Sequence, residues 1–256
     1  MPRHASRSTG SRRCCASGEP LKYRAILFDA GGTLLFLDYE RLAAAVAAAC
    51  GGGPSAARLR DAAPRAALEL EQDNGNEGER AARYLRTLCV GAGLPPEQWP
   101  AAESALYAAH RERHLWSGGD AETGAALARL RAAGLRLGVV SNSDGRVEQA
   151  LKSAGLGGHF DVIVDSRIAG VEKPDPRIFH AALDRLGIEP AAALYVGDVY
   201  EVDVVGARNA GLDAALVGVA EAAGIAGVAC ARNVSELVDT LLETGQLPPS
   251  RPSAGA

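Results

Sequence analysis

The sequence alternates short apolar runs with amphipathic helical stretches, and one long segment breaks the alternation. Runs at residues 24–28, 135–140, 161–164, 194–196 and 214–217 are apolar on both faces, as strands of a parallel sheet covered on both sides must be. Helical periodicity fills the intervals at 122–133, 146–154, 176–186, 202–210 and 234–242, with Gly134, Gly155, Gly187 and Gly211 standing where helices would end. This pattern predicts a Rossmann-like, doubly wound parallel α/β sheet. The break runs from residue 37 to 117. Only helical patterns occur there, at 42–50, 56–72, 81–90 and 101–114, separated by turn-forming residues. A helical insert directly after the first strand would lie over the carboxyl ends of the strands, where such sheets bind ligands. The expected organisation is a leader at 1–22, a core at 23–36 and 118–245, a helical cap at 37–117 and a tail at 246–256.

Composition narrows the partners. The 256 residues carry a formal net charge of -4, with 47% hydrophobic and 23% charged residues, the balance of a soluble globular protein. A mildly acidic surface offers no footing for nucleic acid or an anionic membrane. No apolar run reaches the roughly 18 residues of a membrane-spanning helix. Cys14, Cys15, Cys50, Cys89 and Cys230 lack C-x-x-C spacing, which argues against a zinc site or a disulfide framework and for a reducing cytoplasm. Residues 1–22 hold Arg3, Arg7, Arg12 and Arg13. Their composition fits a transit peptide, but without an amphipathic helix they read as a disordered leader. The Pro-rich end reads as a disordered tail.

Chemistry concentrates at four places, each at or just after a strand's carboxyl end. Asp29 follows the first strand, and Gly31 and Gly32 permit a tight turn whose N–H groups face an anion. Alone, this reads equally as an ordinary Asp-Gly turn. Ser141 ends the second strand ahead of Asn142, and its hydroxyl suits either a phosphate oxygen or a helix N-cap. Lys173 precedes Pro174 and Asp175, where it can neutralise a phosphate and a carboxylate; the Arg-rich chain otherwise keeps only Lys22 and Lys152. Asp198 and Asp203 flank the turn after the fourth strand and, with Asp29, make an oxygen-rich set suited to Mg2+. Singly, each has an ordinary structural explanation. Jointly, an acid, a hydroxyl, a base and an acid pair on one sheet edge point to a site.

The order Asp-x-x-Gly-Thr, Ser-Asn, Lys-Pro and Gly-Asp-x-x-x-x-Asp, across residues 24–243, resembles the haloacid dehalogenase-like hydrolase superfamily. The helical insert resembles that superfamily's smaller cap class. The resemblance implies hydrolysis of a phosphorylated small molecule, with Asp29 attacking phosphorus to form an aspartyl-phosphate that water then hydrolyses. It implies Mg2+ held by Asp29, the backbone carbonyl of Gly31 and Asp198, with Asp203 helping directly or through water. Ser141 and Lys173 would hold the phosphoryl oxygens, Thr33 would join the catalytic set, and Ala30, Gly31 and Asn142 would contact substrate.

The sequence departs from the superfamily at Gly31. Phosphatases of this type usually carry an Asp there, which protonates the leaving group and then activates water; losing such a group typically costs about 10²–10⁴-fold in rate. Three readings stay open. The chain is a phosphatase for a good leaving group, or one that borrows an acid from water or the cap, where Asp38, Glu40, Asp73, Glu77, His110 and His114 are candidates that each read more readily as polar surface residues. It is a non-catalytic phosphate-binding module. Or it is a 2-haloacid dehalogenase, the weaker reading because Gly197-Asp198 and Asp203 are intact. Phosphonoacetaldehyde hydrolases also lack the Asp but use a cap lysine, and residues 37–117 contain none. Trp99, Tyr107 and Trp116 could shape a pocket but read more readily as helix-packing residues, and Arg80, Arg83 and Arg86 as solvated, although one of them could meet a substrate carboxylate.

Overall fold

The computed structural model describes residues 21–70, 77–119, 121–218 and 227–248. The expected leader through residue 20, with Cys14 and Cys15, lies outside the described residues, as do Asp73, the side chain of Glu77 and the tail from residue 249. Strands β1 (Ala25–Phe28), β4 (Arg136–Ser141), β5 (Val162–Asp165), β6 (Ala193–Gly197), β7 (Asp213–Val217) and β8 (Ala229–Ala231) form one parallel sheet, ordered β5-β4-β1-β6-β7-β8. The alternation of side chains along a strand explains the fully apolar runs. Ile26 and Phe28 enter the core on one face, whereas Ala25 and Leu27 enter a second core on the other. Leu194 and Val196 divide from Ala193 and Tyr195 in the same way.

The insert is helical, as the periodicity predicts. Helices α1 (Tyr39–Cys50), α2 (Ala56–Leu70), α3 (Glu77–Gly91) and α4 (Trp99–Glu112) bury their own cluster, including Leu42, Val46, Leu59, Leu88 and Leu106. Asp38 caps α1 by accepting from the Arg41 N–H at 3.0 Å, and Gly51 ends the helix in the left-handed conformation. The two passages between sheet and insert pair as an antiparallel ribbon of β2 (Phe36–Leu37) and β3 (Trp116–Gly118). These strands and β8 are too short to carry a periodic signal, so the sequence does not reveal them. The helix expected at 202–210 begins as a π-helical turn, Tyr200–Val205, which continues as Gly206–Asn209. That wide turn returns Asp203 beneath the loop that follows β6.

Candidate active site

Because β1 lies between β4 and β6, the residues just beyond three neighbouring strand ends share one crevice. Asp29 follows β1 and is only 6% exposed; its N–H donates to the Val196 carbonyl of β6 at 2.8 Å. Lys173 is buried beside it. Its Nζ donates to Asp29 Oδ1 at 2.5 Å, to Asp203 Oδ1 at 2.7 Å and to the Tyr195 hydroxyl at 3.0 Å, so three acceptors meet the three donors of the ammonium. Tyr195 in turn donates to the Val140 carbonyl at 2.9 Å. Burial alone would depress the Lys173 ammonium, but the Asp203 and Asp29 carboxylates outweigh it and hold the group well above the ordinary lysine range. Burial pushes the Asp29 carboxyl up to about 7, against the pull of Lys173 and with the push of Asp203.

Asn142 clamps the lysine's backbone. Its Oδ1 accepts from the Lys173 N–H at 2.8 Å and its Nδ2 donates to the Lys173 carbonyl at 3.1 Å. The side-chain amide expected at the substrate is thus engaged in aiming Lys173. Ser141 is buried at the end of β4, its hydroxyl donating to the Asn142 carbonyl at a long 3.4 Å. Thr33 Oγ1 is buried and has no hydrogen-bond partner among the described residues.

Asp203 is braced on both oxygens. Oδ1 meets Lys173, and Oδ2 accepts from the N–H groups of Asp198 at 3.1 Å and Val199 at 2.9 Å. Asp198 approaches the Asp29 loop over Gly32, whose φ of +82° and the collision any Cβ would make with the Asp198 carboxylate both demand glycine. Asp29 and Asp198 thus offer carboxylate oxygens from two facing loops, the hard donor type that Mg2+ takes. The orphaned Thr33 hydroxyl sits in the same turn. At Gly31 the space is not open. A Cβ there would stand 3.6 Å from Trp116 Cδ1 and 3.8 Å from its Nε1, because the β2–β3 ribbon carries the indole over the Asp29 loop.

Above this crevice lies a cavity of about 1340 Å3 shared by the sheet edge and the insert. Asp38 and Glu40 are engaged in ion pairs, with Arg113 and Arg60, each at 2.9 Å. His110 and His114 do line the cavity. Leu115 N–H donates to His110 Nδ1 at 3.2 Å, which leaves the proton on Nε2, 3.1 Å from Asp144 Oδ2. His114 Nδ1 donates to the Trp116 carbonyl at 3.1 Å, and its Nε2 stands 3.8 Å from Asp144 Oδ1. Burial lowers both imidazoles, with Asp144 opposing. Arg146 holds the same carboxylate, at 2.5 and 2.9 Å, and also donates to the His110 carbonyl at 2.9 Å. Burial would raise the Asp144 carboxyl, but the Arg146 and His110 hydrogen bonds bring it down to about 2. Two histidines and an aspartate are metal-ligand types. Here, however, a protonated Nε2 faces the carboxylate and a guanidinium shares it, and both oppose a cation. The cluster is a seam joining α4 to the loop after β4.

Three residues of this upper wall are disfavoured or given no role by the sequence. Arg80, expected to be solvated, is 8% exposed and lines the cavity. Trp116 belongs to the ribbon rather than to a helix. Asp144 closes the Ser141-Asn142-Ser143-Asp144 run, and the spacing of His110 and His114 would have placed them on one helical face, but nothing local joins the two segments.

Residues 23–211 match the haloacid dehalogenase-like hydrolase family. The bovine haloacid dehalogenase-like hydrolase domain-containing protein 3 is 48% identical over 93 residues, 36% of this chain and 37% of the relative. The phosphoserine phosphatase of Thermus thermophilus is 36% identical over 136 residues, 53% of each chain. The matches thus span from little over a third to about half of these relatives. A HAD phosphatase from Thermococcus onnurineus superposes with a TM-score of 0.54 at 25% identity, covering 85% of this chain and 97% of that one. The L-2-haloacid dehalogenase RSc1362 superposes with a TM-score of 0.58 at 24% identity, over 86% and 98% of the respective chains.

Proposed function

The chain belongs to the haloacid dehalogenase-like hydrolases, and from that premise we propose that it is a Mg2+-dependent phosphoric monoester hydrolase acting on a phosphorylated small molecule. The observation that carries this reading is the buried, fully satisfied Lys173 ammonium between Asp29 and Asp203 at the end of the central strand. It holds positive charge against the nucleophile's own oxygen, where a phosphoryl group would add negative charge. Asp29 attacks phosphorus through a carboxylate oxygen, and water later releases phosphate from the aspartyl-phosphate. Ser141 and the N–H groups of the Ala30–Gly31 turn hold the phosphoryl oxygens, Lys173 attracts them through its charge, and Thr33 lends a buried hydroxyl to the same turn. Asn142 serves the substrate by fixing Lys173. Asp29, Asp198 and the Gly31 carbonyl would hold Mg2+, with Asp203 bracing the loop behind them. The metal supplies charge neutralisation at the transferring phosphoryl group. The reading divides the chain into a core, 23–36 and 118–245, and a cap, 37–117. It places the protein in the cytoplasm, in keeping with the free thiols Cys50, Cys89 and Cys230; no helix among the described residues is long and apolar enough to cross a membrane.

Phosphate release from p-nitrophenyl phosphate and acetyl phosphate, with Mg2+ and with EDTA, tests the proposal. Turnover should require the metal and should fall by at least about 10³-fold in Asp29→Asn; activity retained in that variant would remove Asp29 as nucleophile. Gly31 favours one competing reading, a module that binds phosphate without turning it over. Binding of inorganic phosphate without release from any ester would select it.

A further inference from the structure

We infer that the substrate carries its phosphate on an aromatic hydroxyl, so that the leaving group is an aryloxide; this rests on the phosphatase reading above. Residue 31 has no side chain to carry an acid, and the pyrrole edge of Trp116 lies in van der Waals contact with the position a Cβ would take there, 3.6 Å at Cδ1 and 3.8 Å at Nε1. No acceptor among the described residues takes the Trp116 indole N–H. An indole N–H can stabilise a developing oxyanion but cannot transfer a proton at neutral pH. The leaving oxygen must then depart as an anion. A phenol, with a pKa of about 10, tolerates that far better than an aliphatic alcohol near the 15.7 of water.

The walls agree with this chemistry. Trp116 is the centre of an aromatic group. Tyr84 lies 6.5 Å from it between ring centroids at 36°, and His110 and His114 meet it edge-on at 6.4 and 6.1 Å. Ala63, Pro64, Ala67 and Leu85 from α2 and α3 continue the wall away from the sheet. The volume of about 1340 Å3 exceeds the roughly 300–1,000 Å3 usual for a small-ligand site, far more than a phosphate on a short aliphatic chain fills. In the proposed step the Asp29 oxygen forms a bond to phosphorus as the phosphorus–aryl oxygen bond breaks. The electron pair leaves on the aryloxide, which takes its proton from solvent. Water then displaces the Asp29 carboxylate from phosphorus, and its proton goes to solvent.

The test combines binding and turnover in the full chain with Mg2+. Phenylphosphonate, which cannot be hydrolysed, should bind at least about 10-fold more tightly than methylphosphonate, the gain of an aromatic contact. Equal affinities would overturn the inference. Because it needs no turnover, this measurement stands even if the phosphatase reading fails. Phenyl phosphate should be hydrolysed with a kcat at least about 100-fold above that of benzyl phosphate, which offers the same ring on an alkoxide; equal values would overturn the leaving-group argument. In Gly31→Asp that ratio should shrink as benzyl phosphate gains rate from the restored acid. In Trp116→Leu the phenylphosphonate preference should fall about 10-fold, and a preference kept intact would exclude the indole as its source.

Discussion

Two polar networks border the cavity, and they are built on opposite plans. At the sheet edge, Lys173, Asp29, Asp203 and Tyr195 are all buried, and every partner comes from the sheet or its loops. At the seam, Asp144 and Arg146 keep 41% and 29% of their side chains exposed, and their hydrogen bonds run from the loop after β4 to the end of α4. The buried network cannot loosen without stranding a charge in a low-dielectric interior. The seam can open with water replacing each partner. The comparison sets a closed, buried edge against a partly exposed seam, where Arg146 donates to the His110 and Arg111 carbonyls and Arg41 to those of Ala109 and Arg113.

The strongest way to break this comparison is Lys173→Met, which keeps the volume and removes the charge. Asp29 and Asp203 are then buried without their shared cation, and unfolding in urea at neutral pH should show a loss of about 3–5 kcal/mol. The loss should shrink on acidification, because a proton on the Asp29 carboxyl relieves the repulsion. A loss below 1 kcal/mol would mean that water reaches these carboxylates and that the edge is no more rigid than the seam. Arg146→Ala should cost less, about 1–2 kcal/mol, since its partners can turn to solvent. Its main effect should be on motion. Amide exchange at Leu115 and through Trp116–Gly118 should quicken while β1 and β6 stay protected. Uniform acceleration through the sheet would show that seam and edge form a single cooperative unit.

The same division governs what could be read in advance. The strands and the four candidate stations are local: an apolar run, then a carboxylate, hydroxyl or amine at its end, and the sheet does the rest by aligning strand ends. Asp203 was legible as a residue of the site but not as a brace, because that depends on a π-helical turn with no signature of its own. Trp116 over Gly31 was illegible for a different reason. It requires two strands of two and three residues to pair across the whole insert, and neither carries enough periodicity to be seen. Arg80 is a charge on a helix face whose burial is set by the packing of other segments.

The smallest effect sharpens the comparison most. At the seam two influences on the imidazoles oppose each other: burial, which lowers their pKa, and the Asp144 carboxylate, which raises it. The facing charges are Asp144 and Arg146 on the core loop, Arg41 on α1 and each histidine for the other. The structure has burial prevailing, so NMR titration should place both His110 and His114 below the ordinary 6.5. A histidine held low when folded binds its proton more readily when unfolded. Each therefore contributes stability that is complete above about pH 6.5 and is lost as the pH falls toward its folded value. Asp144→Asn removes the raising influence and should lower both titrations further, while leaving Asp29 and Lys173 untouched. If the imidazoles instead titrate above 6.5, Asp144 prevails over burial. The seam would then tighten rather than loosen in mild acid, and the contrast with the buried edge would narrow to one of exposure alone.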